Sequence, residues 1–151
     1  MVSFPLPRPM RLALDLAAQA ASRGEVPVGA VIMRGDVVIA SAANAMCAGA
    51  DPTAHAEMEA IRAAAAALGA QRLDDCDLYV TLEPCAMCAG AISHARLRRL
   101  YYGAEDPKGG AVAHGPRFFV QPTCHHRPEL YGGIGEAEAG ALLRDFFRDR
   151  R

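Results

Sequence analysis

The sequence predicts an α/β fold in which helices cover a mainly mixed sheet. Three observations predict it. Stretches with strand character alternate with stretches of helical character along the whole chain. The 151 residues are 52% hydrophobic and 22% charged, which suits one compact domain over residues 1–151 with a sizeable core. No internal repeat and no linker-like shift of composition divides it.

Each element has a local reason. Residues 10–21 carry Leu12, Leu14 and Leu16 among alanines and read as a first helix, stopped near Gly24. Residues 26–33 and 37–42 are apolar and β-branched, and Gly35-Asp36 between them is a hairpin signal. Residues 43–51 are a loop. Asp51-Pro52-Thr53 opens a second helix, which the alanines at 63–67 favour and Gly69 ends near Leu68. Residues 77–82 form a strand with Leu78, Val80 and Leu82 on an apolar pattern. Pro84 opens a third helix over 85–95, and 98–103 form another strand. Residues 106–115 are rich in glycine and small side chains and read as a functional loop. Residues 118–120 are a short strand, and 136–148 a closing amphipathic helix.

Composition excludes several classes. No apolar run approaches the roughly 18 residues of a membrane span, so no membrane partner is expected. The Pro-rich start lacks the apolar centre of a signal peptide, and a cytoplasmic protein is expected. Cys47, Cys76, Cys85, Cys88 and Cys124 are odd in number, and a chain of this size needs no stapling, so a disulfide framework is a poor reading. The net charge of −1 announces no nucleic acid. The arginines at 96, 98 and 99 and at 144, 148, 150 and 151 form clusters, which more often decorate solvated faces than phosphate footprints.

The sharpest feature is His55-Ala56-Glu57, followed by Pro84-Cys85-Ala86-Met87-Cys88. Cysteines at i and i+3 share a helix face and can close on one ion. A helix N-terminus favours their thiolate form. His55 falls in the first turn of its own helix on this reading, so two helix N-termini converge. One imidazole and two thiolates fill three of four tetrahedral positions, the pattern of a catalytic zinc with a water in the fourth. A structural site would take a fourth protein ligand, which Cys47, Cys76 or Cys124 could supply. Cys124-His125-His126 could suggest a second metal, but nothing pairs with it at ligand spacing. The proton carrier is open on spacing alone. Glu57 lies about 200° around an ideal helix from His55, whereas Glu59, at i+4, would share its face.

The pattern H-x-E followed by P-C-x-x-C is the zinc nucleobase-deaminase signature. Around it, Glu25-Val26-Pro27-Val28-Gly29-Ala30-Val31, Asn44, Asp51-Pro52-Thr53-Ala54, Leu78-Tyr79-Val80-Thr81-Leu82-Glu83 and Leu142-Leu143-Arg144-Asp145-Phe146-Phe147 resemble the bacterial tRNA adenosine deaminases. The likeness runs through nearly the whole chain after Met10, with only loose agreement over 111–133. It implies a single deaminase-type domain with a cytidine deaminase-like fold, a three-layer sandwich around a mixed five-stranded sheet. It also implies a homodimer, one Zn²⁺ per subunit on His55, Cys85 and Cys88, and a tRNA anticodon stem-loop as substrate. The reaction would convert the wobble adenosine to inosine, zinc-bound hydroxide attacking C6 while Glu57 shuttles protons. By the same resemblance, Asn44 and the Ala56 backbone bind the nucleoside. Asp106 and Lys108 border the anticodon nucleotides, and Phe147, Arg148, Arg150 and Arg151 grip RNA. For the Phe146-Phe147 pair, core packing is the better reading for at least one ring. Glu83 could support the metal site from behind. Two other functions compete: a small-molecule deaminase of guanine or cytosine type, and a non-catalytic zinc-stabilised RNA-binding module.

Overall fold

A computed structural model describes residues 5–150; the expectation placed on Arg151 lies outside them. Four helices and five strands follow in the order α1 (Arg8–Ser22), β1 (Gly29–Arg34), β2 (Val37–Ala43), α2 (Ala56–Leu68), β3 (Asp77–Leu82), α3 (Ala86–Ala95), β4 (Arg99–Ala104), β5 (Glu129–Tyr131) and α4 (Glu136–Arg148). The strands form one mixed sheet in the order β2-β1-β3-β4-β5. β1 runs antiparallel to both β2 and β3, and β3, β4 and β5 are parallel.

The three layers follow from the alternation of side chains along the strands. Ala30, Ile32, Leu78, Val80, Leu100 and Tyr102 face α2 and α3 and pack on Ala56, Ala60, Ala64, Ala89 and Ile92. Val31, Met33 and Tyr101 face the opposite way, onto the cluster of Met10, Ala13 and Leu14 of α1 and Ala139 of α4, which Ala104 joins at the end of β4. Alanine predominates on the buried face of α2, which lets that helix lie close to the sheet.

Two expectations change, and one strand is added. The second helix begins at Ala56, not at Asp51. Asp51 caps a turn instead: its Oδ1 accepts from the Thr53 N–H at 2.8 Å and the Thr53 hydroxyl at 2.7 Å. Residues 118–120 form a 3₁₀ turn rather than a strand. β5 already occupies the edge of β4, and Phe119 is buried in the core. β5 itself carried no sequence signal, because its three side chains are all exposed. It is held by backbone pairing of Arg99, Leu100 and Tyr101 with Glu129, Leu130 and Tyr131, by the stacked Tyr101 and Tyr131 rings and by the Arg99–Glu129 ion pair.

Candidate active site

The site lies beyond the carboxyl end of β3, where the chain turns into α3 and where α2 also begins. Open sheets with parallel strands place ligands at this end. The residue at each helix start is extended rather than helical: His55 has φ −69° and ψ 152°, and Cys85 has φ −75° and ψ 177°. Neither makes a side-chain cap hydrogen bond to its own helix, and His55 Nδ1 and Cys85 Sγ come together instead.

His55 Nδ1 lies 3.6 Å from Cys85 Sγ and 3.6 Å from Cys88 Sγ. All three donor atoms fall within 4.8 Å of one another, close enough to hold one metal ion. Among the described residues no other His, Cys, Asp or Glu joins this group, so no protein side chain fills a fourth position. Cys47 is exposed and Cys76 is buried elsewhere. The Cys124-His125-His126 run gathers no metal group among the described residues. Cys124 Sγ donates to the His126 carbonyl at 3.1 Å, and His126 Nε2 reaches the Leu97 carbonyl at 2.6 Å.

The electrostatics suit a cation. The neighbouring Cys88 side chain holds the Cys85 thiol down at about 5, opposed by burial and helped by the Cys88 backbone amide. Cys88 is pushed up, by the adjacent Cys85 first and by burial second, so the pair carries one ready negative charge and a second that a cation would release. Glu57 is 4% exposed. Burial pushes its carboxyl up to about 7, against the pull of its own backbone amide.

A cavity of about 260 Å³ opens on this group, lined by Val26, Val28, Asn44, Met46, His55, Glu57, Leu82, Glu83, Cys85, Asp106 and Gly109. Glu57 lines it and Glu59 does not. Asn44 Oδ1 accepts from the Ala56 N–H at 2.7 Å, an interaction that needs the oxygen there and leaves the amide NH₂ for the cavity. The Ala56 N–H is thus spent on holding Asn44.

A second cavity of about 670 Å³ shares Asp106 and Gly109 with the first and adds Lys108, Phe147 and Arg150. Phe146 is buried, and Phe147 is 47% exposed, so one ring of the pair packs in the core and the other faces the groove. Arg150 stacks over the Phe146 ring, 3.6 Å from its centroid. Arg148 stands apart, paired with Asp145 at 3.1 Å and Asp149 at 3.7 Å.

Two buried glutamates went unassigned or underread in the sequence. Glu25 accepts from the Cys47 and Ala48 amides at 3.1 and 2.8 Å, fixing the loop after Asn44. Glu83 fastens the 106–114 segment. The only signal was an acidic residue set inside an apolar run, which usually means a committed carboxylate.

Residues 7–151 match the MafB19-like deaminase family. The tRNA-specific adenosine deaminase of Agrobacterium fabrum is 58% identical over 142 residues, covering 94% of this chain and 93% of its own. The chain belongs to the tRNA-specific adenosine deaminase family. The corresponding deaminase of Rickettsia bellii is 46% identical over 94% of this chain and 99% of its own. A solved structure from work on A-to-I editing by tRNA:A34 deaminases is 58% identical, with a TM-score of 0.88 over 89% of this chain and 98% of that one. A guanine deaminase from Bacillus subtilis is 46% identical over only 64% of this chain, with a TM-score of 0.63. In this deaminase the cytidine deaminase-like architecture expected from the signature is present in full: three layers and a mixed five-stranded sheet. No helix of the described residues is long and apolar enough to cross a membrane.

Proposed function

We propose that this chain hydrolytically deaminates adenosine to inosine at the wobble position of a tRNA anticodon stem-loop. The observation that carries this reading is the three-donor group with no fourth protein ligand, opening on a nucleoside-sized cavity beside Glu57. It stands on the family's named members and on a second, wider cavity for the flanking nucleotides.

The donor set fits zinc. Bond lengths of about 2.3 Å to sulfur and 2.0–2.1 Å to nitrogen, at a tetrahedral angle, put the donors about 3.6 Å apart. That is the separation His55 Nδ1 keeps from each sulfur. A zinc ion there supplies, when bound, the Lewis acidity that makes water a nucleophile at neutral pH. Glu57 moves the protons: its carboxylate takes one from the attacking water and gives it to N1 as oxygen adds to C6, then takes the remaining proton of the added hydroxyl and delivers it to the amine, which leaves as ammonia. A carboxyl set in the cavity wall can serve in both directions. The Asn44 NH₂ holds the nucleoside, and Leu82, Val26 and Val28 exclude water around it. Asp106, Lys108, Phe147 and Arg150 receive the neighbouring nucleotides. An anticodon loop presents unstacked bases, so extruding one costs little.

The same reading carries one zinc ion per chain, a homodimer and a cytoplasmic setting. The open fourth position disfavours a non-catalytic module, and the 58% identity with a tRNA-specific adenosine deaminase over 94% of this chain disfavours the guanine type.

The test is inosine formation on a stem-loop with adenosine at position 34, with free guanine and cytidine as competitors and a chelator in parallel. Turnover of the stem-loop alone, abolished by the chelator, is expected. Turnover of a free base instead would overturn the assignment. Glu57→Ala should keep its metal and lose activity by about 10²–10⁴-fold. A Glu57→Ala protein at full rate would remove Glu57 from the reaction.

A further inference from the structure

One buried side chain, Glu83, lines the nucleoside-sized cavity and fastens the segment that walls both cavities. Glu83 is buried with both oxygens committed. Oε1 accepts from the Asp106 N–H at 3.0 Å and from His114 Nδ1 at 2.8 Å. Oε2 accepts from the N–H groups of Val112, Ala113 and His114 at 3.1, 3.0 and 3.2 Å. A carboxylate only accepts, so the imidazole proton sits on Nδ1. These donors come from both ends of one segment, and the tip between them, 107–110, presents Lys108 and Gly109 to the groove. The Ala111 N–H donates to the Pro84 carbonyl at 2.9 Å, and Asp106 Oδ1 stiffens the tip by accepting from the Lys108 and Gly109 amides at 3.2 and 2.9 Å.

The anchor's place in the chain gives it consequence. Glu83 and Pro84 directly precede Cys85, so two consecutive residues fix the substrate wall and the next one supplies a sulfur of the three-donor group. The separation between wall and group is therefore set by covalent geometry, not by loop flexibility. We propose that Glu83, with His114 as its partner, is a positioning residue that registers the 105–114 wall against Cys85 and thereby sets how tightly the nucleic-acid substrate is held. This rests on the function proposed above.

The chemistry requires the carboxylate. All five partners are donors, so an isosteric amide must turn its NH₂ either onto the Asp106 amide and His114 Nδ1 or onto the three amides at 112–114. Either way one end of the wall is released, while Cys85 keeps its place at the start of α3.

The experiment uses zinc-loaded wild type, Glu83→Gln and His114→Ala, with kcat and KM measured on the stem-loop, metal content by atomic absorption, and hydrogen exchange of the 105–114 amides. Both variants should keep wild-type metal content and exchange faster at 105–114. KM should rise by about tenfold in Glu83→Gln and about threefold in His114→Ala, with kcat falling by less than KM rises. An unchanged KM, or activity lost in step with metal, would overturn the proposal. Should Glu83→Gln fail to fold, His114→Ala decides alone, since it removes one partly exposed ring from the cluster. A wild type that does not deaminate the stem-loop defeats the functional reading itself and this inference with it. An active wild type with unaffected variants defeats only the inference.

Discussion

Asn44 carries two roles on two atoms of one amide, and a pair of substitutions separates them. Its oxygen accepts from the Ala56 N–H at 2.7 Å, satisfying a buried donor at the first turn of α2, and its NH₂ faces the cavity. Asn44→Ala leaves that N–H without a partner at a site only 6% exposed. An unmade bond at a buried donor costs about 1–3 kcal/mol. For a domain of this length, about 2 kcal/mol corresponds to a melting temperature lower by about 4–8 °C. Asn44→Asp keeps an oxygen on the Ala56 N–H and adds negative charge at a helix N-terminus, worth about 0.3–1 kcal/mol before the cost of burial. It should therefore melt above Asn44→Ala. It also replaces the donor facing the nucleoside with an acceptor, which leaves a polar group opposed inside the site, and turnover should fall by at least about 10²-fold. Thermal melts with saturating zinc and initial rates of inosine formation check both halves. An Asn44→Ala protein melting with wild type would show that Ala56 does not depend on this oxygen. A fully active Asn44→Asp protein would show that the NH₂ is not used.

Removing the metal should lower stability as well as activity. An ion at 100 times its dissociation constant contributes about 2.7 kcal/mol to the folded state. Chelated wild type should melt several degrees lower, and Cys88→Ser should show no further loss on chelation; a chelation shift of equal size in Cys88→Ser would place the metal elsewhere. Gly29→Ala should be among the most damaging single-methyl additions, because its Cβ would collide with the Ala13 carbonyl where α1 crosses β1. Such overpacking costs about 1–3 kcal/mol, and an unchanged melting temperature would refute that close approach. The Cys47 and Ala48 amides hold the Glu25 carboxyl below its ordinary value of 4.5. A lowered pKa stabilises the fold above the ordinary value and is lost as pH falls through the folded one. The melting temperature should therefore drop below about pH 4.5, less steeply in Glu25→Gln, and parallel curves for the two proteins would count against it.

The residues that touch the chemistry were more legible than the shape that holds them. Elements with a strong side-chain pattern, such as β3 and α4, begin and end where the sequence places them. β5 has no such pattern, because an edge strand with three exposed side chains is held by backbone pairing and by contacts of Glu129 and Tyr131 with partners on β4 that a local reading does not supply. The 3₁₀ turn at 118–120 reads as a strand because Phe118, Phe119 and Val120 have strand propensity; competition for the β4 edge decides otherwise. The start of α2 was misplaced because Asp51, Pro52 and Thr53 are all good first-turn residues, and only the Asp51–Thr53 bonds show that they close a separate turn. The roles of Glu25 and Glu83 depend on loops arriving from far along the chain, which local reading cannot supply.

The later start of α2 puts Glu57, and not Glu59, in the wall of the cavity. On a continuous helix from Asp51, His55 and Glu57 would point to opposite sides, and Glu59 would be the natural companion of His55. With His55 extended, the helical rotation begins only at Ala56, and Glu57 falls at the second position of the first turn, buried toward the cavity. Cys85 repeats the arrangement one helix later: it too is extended, and Cys88 follows in the first turn of α3. Serine, threonine or aspartate at either helix start would fold its side chain back onto the first free amides. In their place His55 brings an imidazole and Cys85 a sulfur, and these meet 3.6 Å apart. The Ala56 amide at the start of α2 is satisfied by Asn44, from the end of β2. The two-residue spacing of His55 and Glu57 and the three-residue spacing of Cys85 and Cys88 are therefore one arrangement used twice: a donor group set just outside a helix, with Glu57 or Cys88 just inside it.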